Sequence, residues 1–146
     1  MAAEVVRAFN EACLRGDWAA LESLIDPDLE IHEAPSMPYG GTFRGLEGLR
    51  QLMGLARAVW TDLGGDNRQP YKVFDLESTD DGDLVLMLGK LDSRVGGGDT
   101  RMQMTIAEIH RVVDGRIVEL TPHYWDTAAI AAAFAAASQH NRSTVE

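Results

Sequence analysis

Apolar positions recur at helical spacing at the start of the chain. Residues 2–15 carry Val5, Val6, Phe9, Cys13 and Leu14 along one helical face, and Gly16 can end that run. Asp17 can cap a second helix bearing Trp18, Leu21, Leu24 and Ile25. Asp26-Pro27-Asp28 interrupts the helical pattern, because proline disfavours helical geometry in the residue before it, and Leu29 to Glu33 then alternates like a strand. A turn-rich stretch follows, with Pro35, Pro38, Gly40, Gly41 and Gly45, after which Leu49, Leu52, Met53, Ala56, Val59 and Trp60 mark a third helix.

The rest of the chain changes period. Strand-like runs at 71–78, 84–93, 101–112 and 117–125 are separated by Asp80-Asp81-Gly82-Asp83, Gly96-Gly97-Gly98-Asp99 and Asp114-Gly115, the punctuation of an antiparallel meander. A last helix starts near Asp126, and the polar run 139–146 is expected to fray, leaving an ordered core of about residues 2–138. Helices first and strands afterwards predict an α+β fold: a curved antiparallel sheet with helices on one face. No Gly-x-Gly-x-x-Gly opens a helix after the first strand, which argues against a dinucleotide-binding fold.

Composition narrows the partners. The 146 residues suit one domain, and 13 Lys plus Arg against 23 Asp plus Glu give a net charge of −10, which repels nucleic acid and anionic membrane. The lone Cys13 cannot form an intrachain disulfide, and the N-terminus lacks a basic stretch followed by an apolar run. A cytoplasmic location is therefore expected. The alanine-rich segment 128–137 is too short to cross a bilayer. His32, His110, His123 and His140 show no metal-ligand spacing, and no serine sits in a nucleophile elbow, so neither a metal site nor acyl-enzyme chemistry is expected.

Pairing the last two strands across Asp114-Gly115 as a two-residue hairpin sets Ile106 opposite His123, Met104 opposite Trp125 and Glu108 opposite Thr121. One face would then hold Met102, Met104, Ile106, His123 and Trp125. The other would hold Ala107, Ile109, Val118, Leu120, Pro122 and Tyr124, apolar enough to need covering by a second subunit. Along 84–92 the stripe Leu84, Leu86, Leu88 ends in Lys90 and Asp92, either a cation and carboxylate at the base of a pocket or the solvated end of a strand. Met53 and Trp60 could add to the pocket wall. Parity leaves open whether His32 or Glu33 faces the interior, and His110 with Glu119 reads as a surface pair.

The helix pair, the strand Leu29-Glu30-Ile31-His32-Glu33, the segment Pro38-Tyr39-Gly40-Gly41-Thr42-Phe43-Arg44-Gly45, Asp114-Gly115-Arg116-Ile117-Val118 and Tyr124-Trp125-Asp126 occur in an order that resembles SnoaL-like proteins of the nuclear transport factor 2-like superfamily. The resemblance spans residues 2 to about 138. It implies a cone of curved sheet and helices around one hydrophobic cavity, usually in a homodimer, in a family that includes polyketide cyclases, ketosteroid isomerase and limonene epoxide hydrolase. Lys90-Leu91-Asp92 and Thr121-Pro122-His123-Tyr124-Trp125-Asp126 look like the epoxide hydrolase strands that supply an arginine and two aspartates, which puts Lys90, Asp92 and His123 at those positions. Lysine and histidine are departures that put epoxide hydrolysis itself in doubt.

The resulting expectation is a cofactor-independent cyclase or isomerase acting on a hydrophobic carbonyl compound such as a polyketide intermediate. His123 would be the general base, Asp92 its orienting partner and Lys90 the oxyanion stabiliser, with His32, Tyr39, Met53, Trp60, Met104, Ile106 and Trp125 contacting substrate. Epoxide opening and non-catalytic ligand binding are the alternatives.

Overall fold

The computed structural model describes residues 2–63 and 71–145, with side chains up to His140. The chain forms α1 (Ala2–Arg15), α2 (Trp18–Leu24), β1 (Ile25–Glu33), β2 (Gly41–Arg44), α3 (Gly45–Val59), β3 (Tyr71–Thr79), β4 (Gly82–Arg94), β5 (Arg101–Val113), β6 (Arg116–Tyr124) and α4 (Thr127–Val145). Two expected caps form: the Asp17 carboxylate accepts from the Ala20 amide at 3.1 Å, and that of Asp126 accepts from the Ala129 amide at 2.9 Å. Three placements differ from expectation. Ile25, expected in the second helix, opens β1, which runs through Asp26-Pro27-Asp28 before Leu29. β2 arises inside the turn-rich stretch, and α4 continues to Val145, past the polar residues expected to fray.

The six strands make one curved, open sheet in the order β2-β1-β6-β5-β4-β3. It is mixed rather than antiparallel throughout, because β1 lies beside β6 and runs parallel to it. The chain leaves β1 through β2 and α3 and returns only at the far edge of the meander, so β6 meets β1 after a long crossover. The remaining pairs are antiparallel. α1, α2 and α3 cover the concave face, where Val6, Phe9, Leu21, Leu49, Leu52 and Val59 pack on Leu29, Ile31, Val85 and Val112.

The β5–β6 hairpin fixes which residues enter that interior. Asp114 (φ +50°) and Gly115 (φ +77°) adopt the left-handed geometry of a tight primed turn, and next to it Val113 pairs with Arg116 and Val112 with Ile117, as the sequence predicts. One residue later the register slips: Arg111 opposes Glu119, leaving Val118 as an extra residue on β6. Every later β6 side chain is therefore reversed from expectation. Tyr124 opposes Ile106, while His123 opposes Ala107 and points to the outer face. Leu120 and Pro122 turn inward and are buried, so Leu120 leaves the expected dimer patch.

The same register corrects β4. Its pairing with β5 sets Val85 opposite His110, Met87 opposite Glu108 and Gly89 opposite Ile106. The inner face therefore carries Val85, Met87, Gly89, Leu91 and Ser93, and Leu88, Lys90 and Asp92 face outward. His110, expected at the surface with Glu119, is instead buried opposite Leu120.

Candidate functional site

A cavity of about 260 Å³ opens between α1, α3 and the inner faces of β4, β5 and β6. Its apolar wall is made by Leu14, Ala56, Leu63, Met87, Leu91 and Ile106; its polar groups are Asn10, Tyr39, Trp60, Tyr71, Glu108 and Tyr124, with Lys90 at the rim. An apolar pocket with a few convergent polar groups is the usual form of a small-molecule site.

At one end, the Trp60 indole donates to the Tyr39 hydroxyl at 2.7 Å, and the Tyr39 and Tyr124 hydroxyls share a hydrogen bond of 2.8 Å. The Trp60 and Tyr124 rings stack with centroids 6.3 Å apart, which holds both side chains in place. Indole only donates, so the Tyr39 oxygen must accept from it. The tyrosine pair then uses one of its two hydroxyl hydrogens internally, and the other is available to a bound molecule. Burial pushes both tyrosines well above the ordinary phenol range, so they stay protonated donors near neutral pH.

Two carboxyl groups complete the site. Glu108 stands on the cavity wall with its side chain 20% exposed, facing the cavity rather than bulk water, and this burial pushes its pKa up to about 7. Glu33, at the end of β1, is 5% exposed and has one oxygen, Oε2, without a hydrogen-bond partner. Burial, and secondarily the charge of Glu108, push it up to about 8. Glu33 does not line the cavity, but its charge is felt by both Tyr39 and Tyr124. The charge of Glu108 thus acts on Glu33, and the two carboxyls titrate as an interacting pair.

Of the residues expected in the site, Tyr39, Trp60 and Ile106 line the cavity. Met53 and Met104 are half-buried against the core and do not reach it. Lys90, Asp92 and His123 are not gathered into a catalytic group, because the corrected register puts all three on the outer face. Lys90 is exposed at the rim, and Asp92 is held by Arg101 Nε at 2.7 Å and Gln103 Nε2 at 3.0 Å. Trp125 lies beyond the end of β6 and is 83% exposed, so it walls nothing. His32 is the outward member of its pair with Glu33, 3.5 Å from Glu119 and 3.7 Å from Glu30. Among the described residues, no three His, Cys, Asp or Glu side chains converge as a metal site, and no helix is long and apolar enough to cross a membrane.

This architecture can be compared with known proteins. The family pattern described as the SnoaL-like domain matches residues 6–120. The chain belongs to the SnoaL-like domain family. Solved structures agree: this SnoaL-like domain is similar to an NTF2-like protein from Burkholderia xenovorans LB400 at 22% identity, with 90% of this chain and 93% of that one covered and a TM-score of 0.68. A loop-truncation variant of IdmH is 27% identical over 91% of this chain and 98% of its own, with a TM-score of 0.63. A protein from Catenulispora acidiphila with a ketosteroid isomerase-like fold, solved with trimethylamine, is 19% identical, with 83% and 85% covered and a TM-score of 0.57. No curated protein matches the chain. The fold is thus that of the NTF2-like superfamily.

Sequence reasoning missed Glu108, Tyr124, Asn10 and Tyr71 as site residues of the SnoaL-like domain, and left Glu33 open against His32, where the structure turns Glu33 inward. A signal for Glu108 was present: Met102, Met104, Ile106, Glu108, His110 and Val112 share one strand face by simple alternation, so a carboxylate and a histidine continue the apolar stripe.

The Glu33 shift has a consequence for stability. Its carboxyl ionises near 4.5 when unfolded and at about 8 when folded, so between these values folding takes up a proton and stability falls as pH rises. Glutamine mimics the neutral acid. The melting temperature of Glu33→Gln relative to the natural protein should therefore increase from pH 5 to pH 8 and level off above; parallel melting curves across that range would contradict the assignment.

Proposed function

We propose that this protein is a cofactor-independent cyclase or isomerase that transfers a proton beside the carbonyl of a hydrophobic small molecule, such as a polyketide intermediate. The observation that carries the reading is Glu108: a carboxyl with a pKa of about 7 opening into an apolar cavity that also holds a tyrosine pair with one hydroxyl hydrogen to spare. A base of that pKa is about half ionised at neutral pH, which suits general base catalysis.

In this mechanism, ionised Glu108 removes the proton α to the substrate carbonyl, and the resulting enolate oxygen accepts the free hydroxyl hydrogen of the Tyr39–Tyr124 pair. Where a C=C adjoins that α-carbon, the dienolate takes the proton back from Glu108 at its γ-carbon, giving the conjugated isomer. Alternatively the enolate carbon attacks a second carbonyl in the same molecule, and the new alkoxide takes that proton, closing a ring by aldol addition. Positioned base catalysis contributes roughly 10² to 10⁴ in rate, and a preorganised oxyanion donor about 10² to 10³. Glu33 stays neutral while Glu108 is charged; its ionisation at about 8 places a second negative charge near the enolate and opposes the reaction. Epoxide opening rested on Lys90, Asp92 and His123, and no observation favours it with these facing outward. The same reading places the protein in the cytoplasm, on its lone half-buried Cys13.

We also propose that two copies pair through the outer sheet face. Phe74, Leu88 and Ile109 are exposed there with Ala107 half-buried among them, a patch a monomer would leave in water.

Two measurements test these proposals. In deuterium oxide, the protein should exchange the α-protons of 2-tetralone above the buffer rate, read by proton NMR, with a maximum between about pH 7 and 8. Glu108→Gln should lower that exchange by roughly a hundredfold or more while melting normally, and Tyr124→Phe should lower it by about tenfold or more. Exchange unaffected by Glu108→Gln would contradict the base assignment. Sedimentation at micromolar concentration should show twice the 16.0 kDa chain mass, and Leu88→Glu with Ile109→Glu should give the monomer; a natural protein sedimenting as the single chain would contradict the dimer.

A further inference from the structure

His110 is buried to 1% exposure, and neither of its ring nitrogens has a hydrogen-bond partner. Buried polar groups are nearly always paired, so an orphaned imidazole calls for an explanation. Its setting is tight and mostly apolar. The Phe9 ring meets it edge-on at 6.2 Å, and Val85 and Leu120 flank it on the neighbouring strands. The backbone of Val85 and Glu108 is near enough to favour the charged ring slightly but does not meet it in hydrogen-bond geometry. The charged side chain beside it is Glu108, two residues away on the same strand face, with Oε2 3.7 Å from His110 Nε2. That is within ion-pair distance but too long for a hydrogen bond, so the bond forms only when the carboxyl turns toward the ring.

A neutral imidazole always carries one N–H. We propose that His110 is a positioning residue for Glu108, a neutral ring whose Nε2–H hydrogen-bonds the Glu108 carboxylate whenever that group is ionised. The bond holds one carboxylate oxygen against the strand and leaves the other for a molecule in the cavity. It also stabilises the ionised form in an apolar wall, and so works against the rise that burial alone causes. The consequence for catalysis rests on the reading of Glu108 as the base; the coupling between the two side chains does not.

Burial holds the His110 pKa down to about 4, so the ring is neutral throughout the range in which Glu108 titrates and the pair is not an ion pair there. Among the described residues, the charge of Glu108 acts on Cys13 from α1, Glu33 from β1, Tyr39 from the β1–β2 loop and Tyr124 from β6, and Tyr71 from β3 and Lys90 from β4 line the same cavity. Burial pushes the Cys13 thiol up to about 12, and both tyrosines lie well above their ordinary value, so of the four groups on which that charge acts Glu33, at about 8, is the one whose titration overlaps that of Glu108. Glu33→Gln removes that overlap.

The test is a titration of the full-length Glu33→Gln protein carrying ¹⁵N-labelled histidine. The His110 ring should stay neutral with Nε2 protonated from pH 5 to 9, and its Nε2 resonance should step at about pH 7 as Glu108 ionises. That step should vanish when Glu108→Gln is added. His110→Phe should raise the pH at which α-proton exchange sets in by about one unit, through loss of a hydrogen bond to a charged group, and His110→Gln, which keeps a donor, should restore it. A ring protonated on Nδ1, or an Nε2 resonance flat through pH 7, would overturn the proposal. If the step is present but the protein exchanges no α-protons, the base assignment fails and the His110–Glu108 coupling stands.

Discussion

The interior of this protein depends on a single slip in the pairing of β6 with β5. Strand side chains alternate faces, so one extra residue at Val118 decides whether the last residues of β6 send Leu120, Pro122 and Tyr124 to the interior or Thr121 and His123. With the slip, an apolar strip and one phenol point inward. Without it, the cavity would lose Tyr124, and Tyr39 would lose the hydroxyl partner that frees a hydrogen for a bound molecule. The curved sheet and its helices supply the enclosure, but this register determines its chemistry.

The second physical theme is desolvation. Glu33 and Glu108 sit where charge is poorly solvated and their favourable contacts are few, so both carboxyls move from the ordinary range to near neutrality or above. The cost of that arrangement falls on the folded state at alkaline pH. Glu108, held at such a cost on the wall of an apolar cavity, is a candidate for chemistry, because a carboxyl with a pKa near 7 can both take and return a proton at neutral pH. Trp60 and Tyr39 pack against the same cavity and are fixed by their own hydrogen bonds, so the donor end of the site is rigid before anything binds.

Much of this was legible in the sequence. The order of helices and strands, the caps at Asp17 and Asp126 and the tight turn at Asp114-Gly115 follow from local patterns, and the structure has them. The parallel placement of β1 beside β6 was not legible, because no local pattern encodes which edge a strand returns to. On β4 both faces are apolar, Leu84, Leu86 and Leu88 against Val85, Met87 and Leu91, so only the cross-strand register separates them. On β6 the bulge leaves no mark in hydropathy, and assuming a regular hairpin turned His123 inward when it lies outside. Tyr39, Trp60 and Ile106 survived as cavity residues, since a loop, a helix end and the correctly faced β5 are unaffected by that slip.

The central claim is that two desolvated carboxyls share one interior. It is tested most directly by following the side-chain carboxyl resonances of ¹³C-labelled glutamate with pH, assigned through Glu33→Gln and Glu108→Gln. The account predicts that the resonance lost in Glu108→Gln titrates at about 7 and the one lost in Glu33→Gln at about 8, with the second moving down when Glu108 is neutralised. Two midpoints near 4.5, independent of each other, would contradict it.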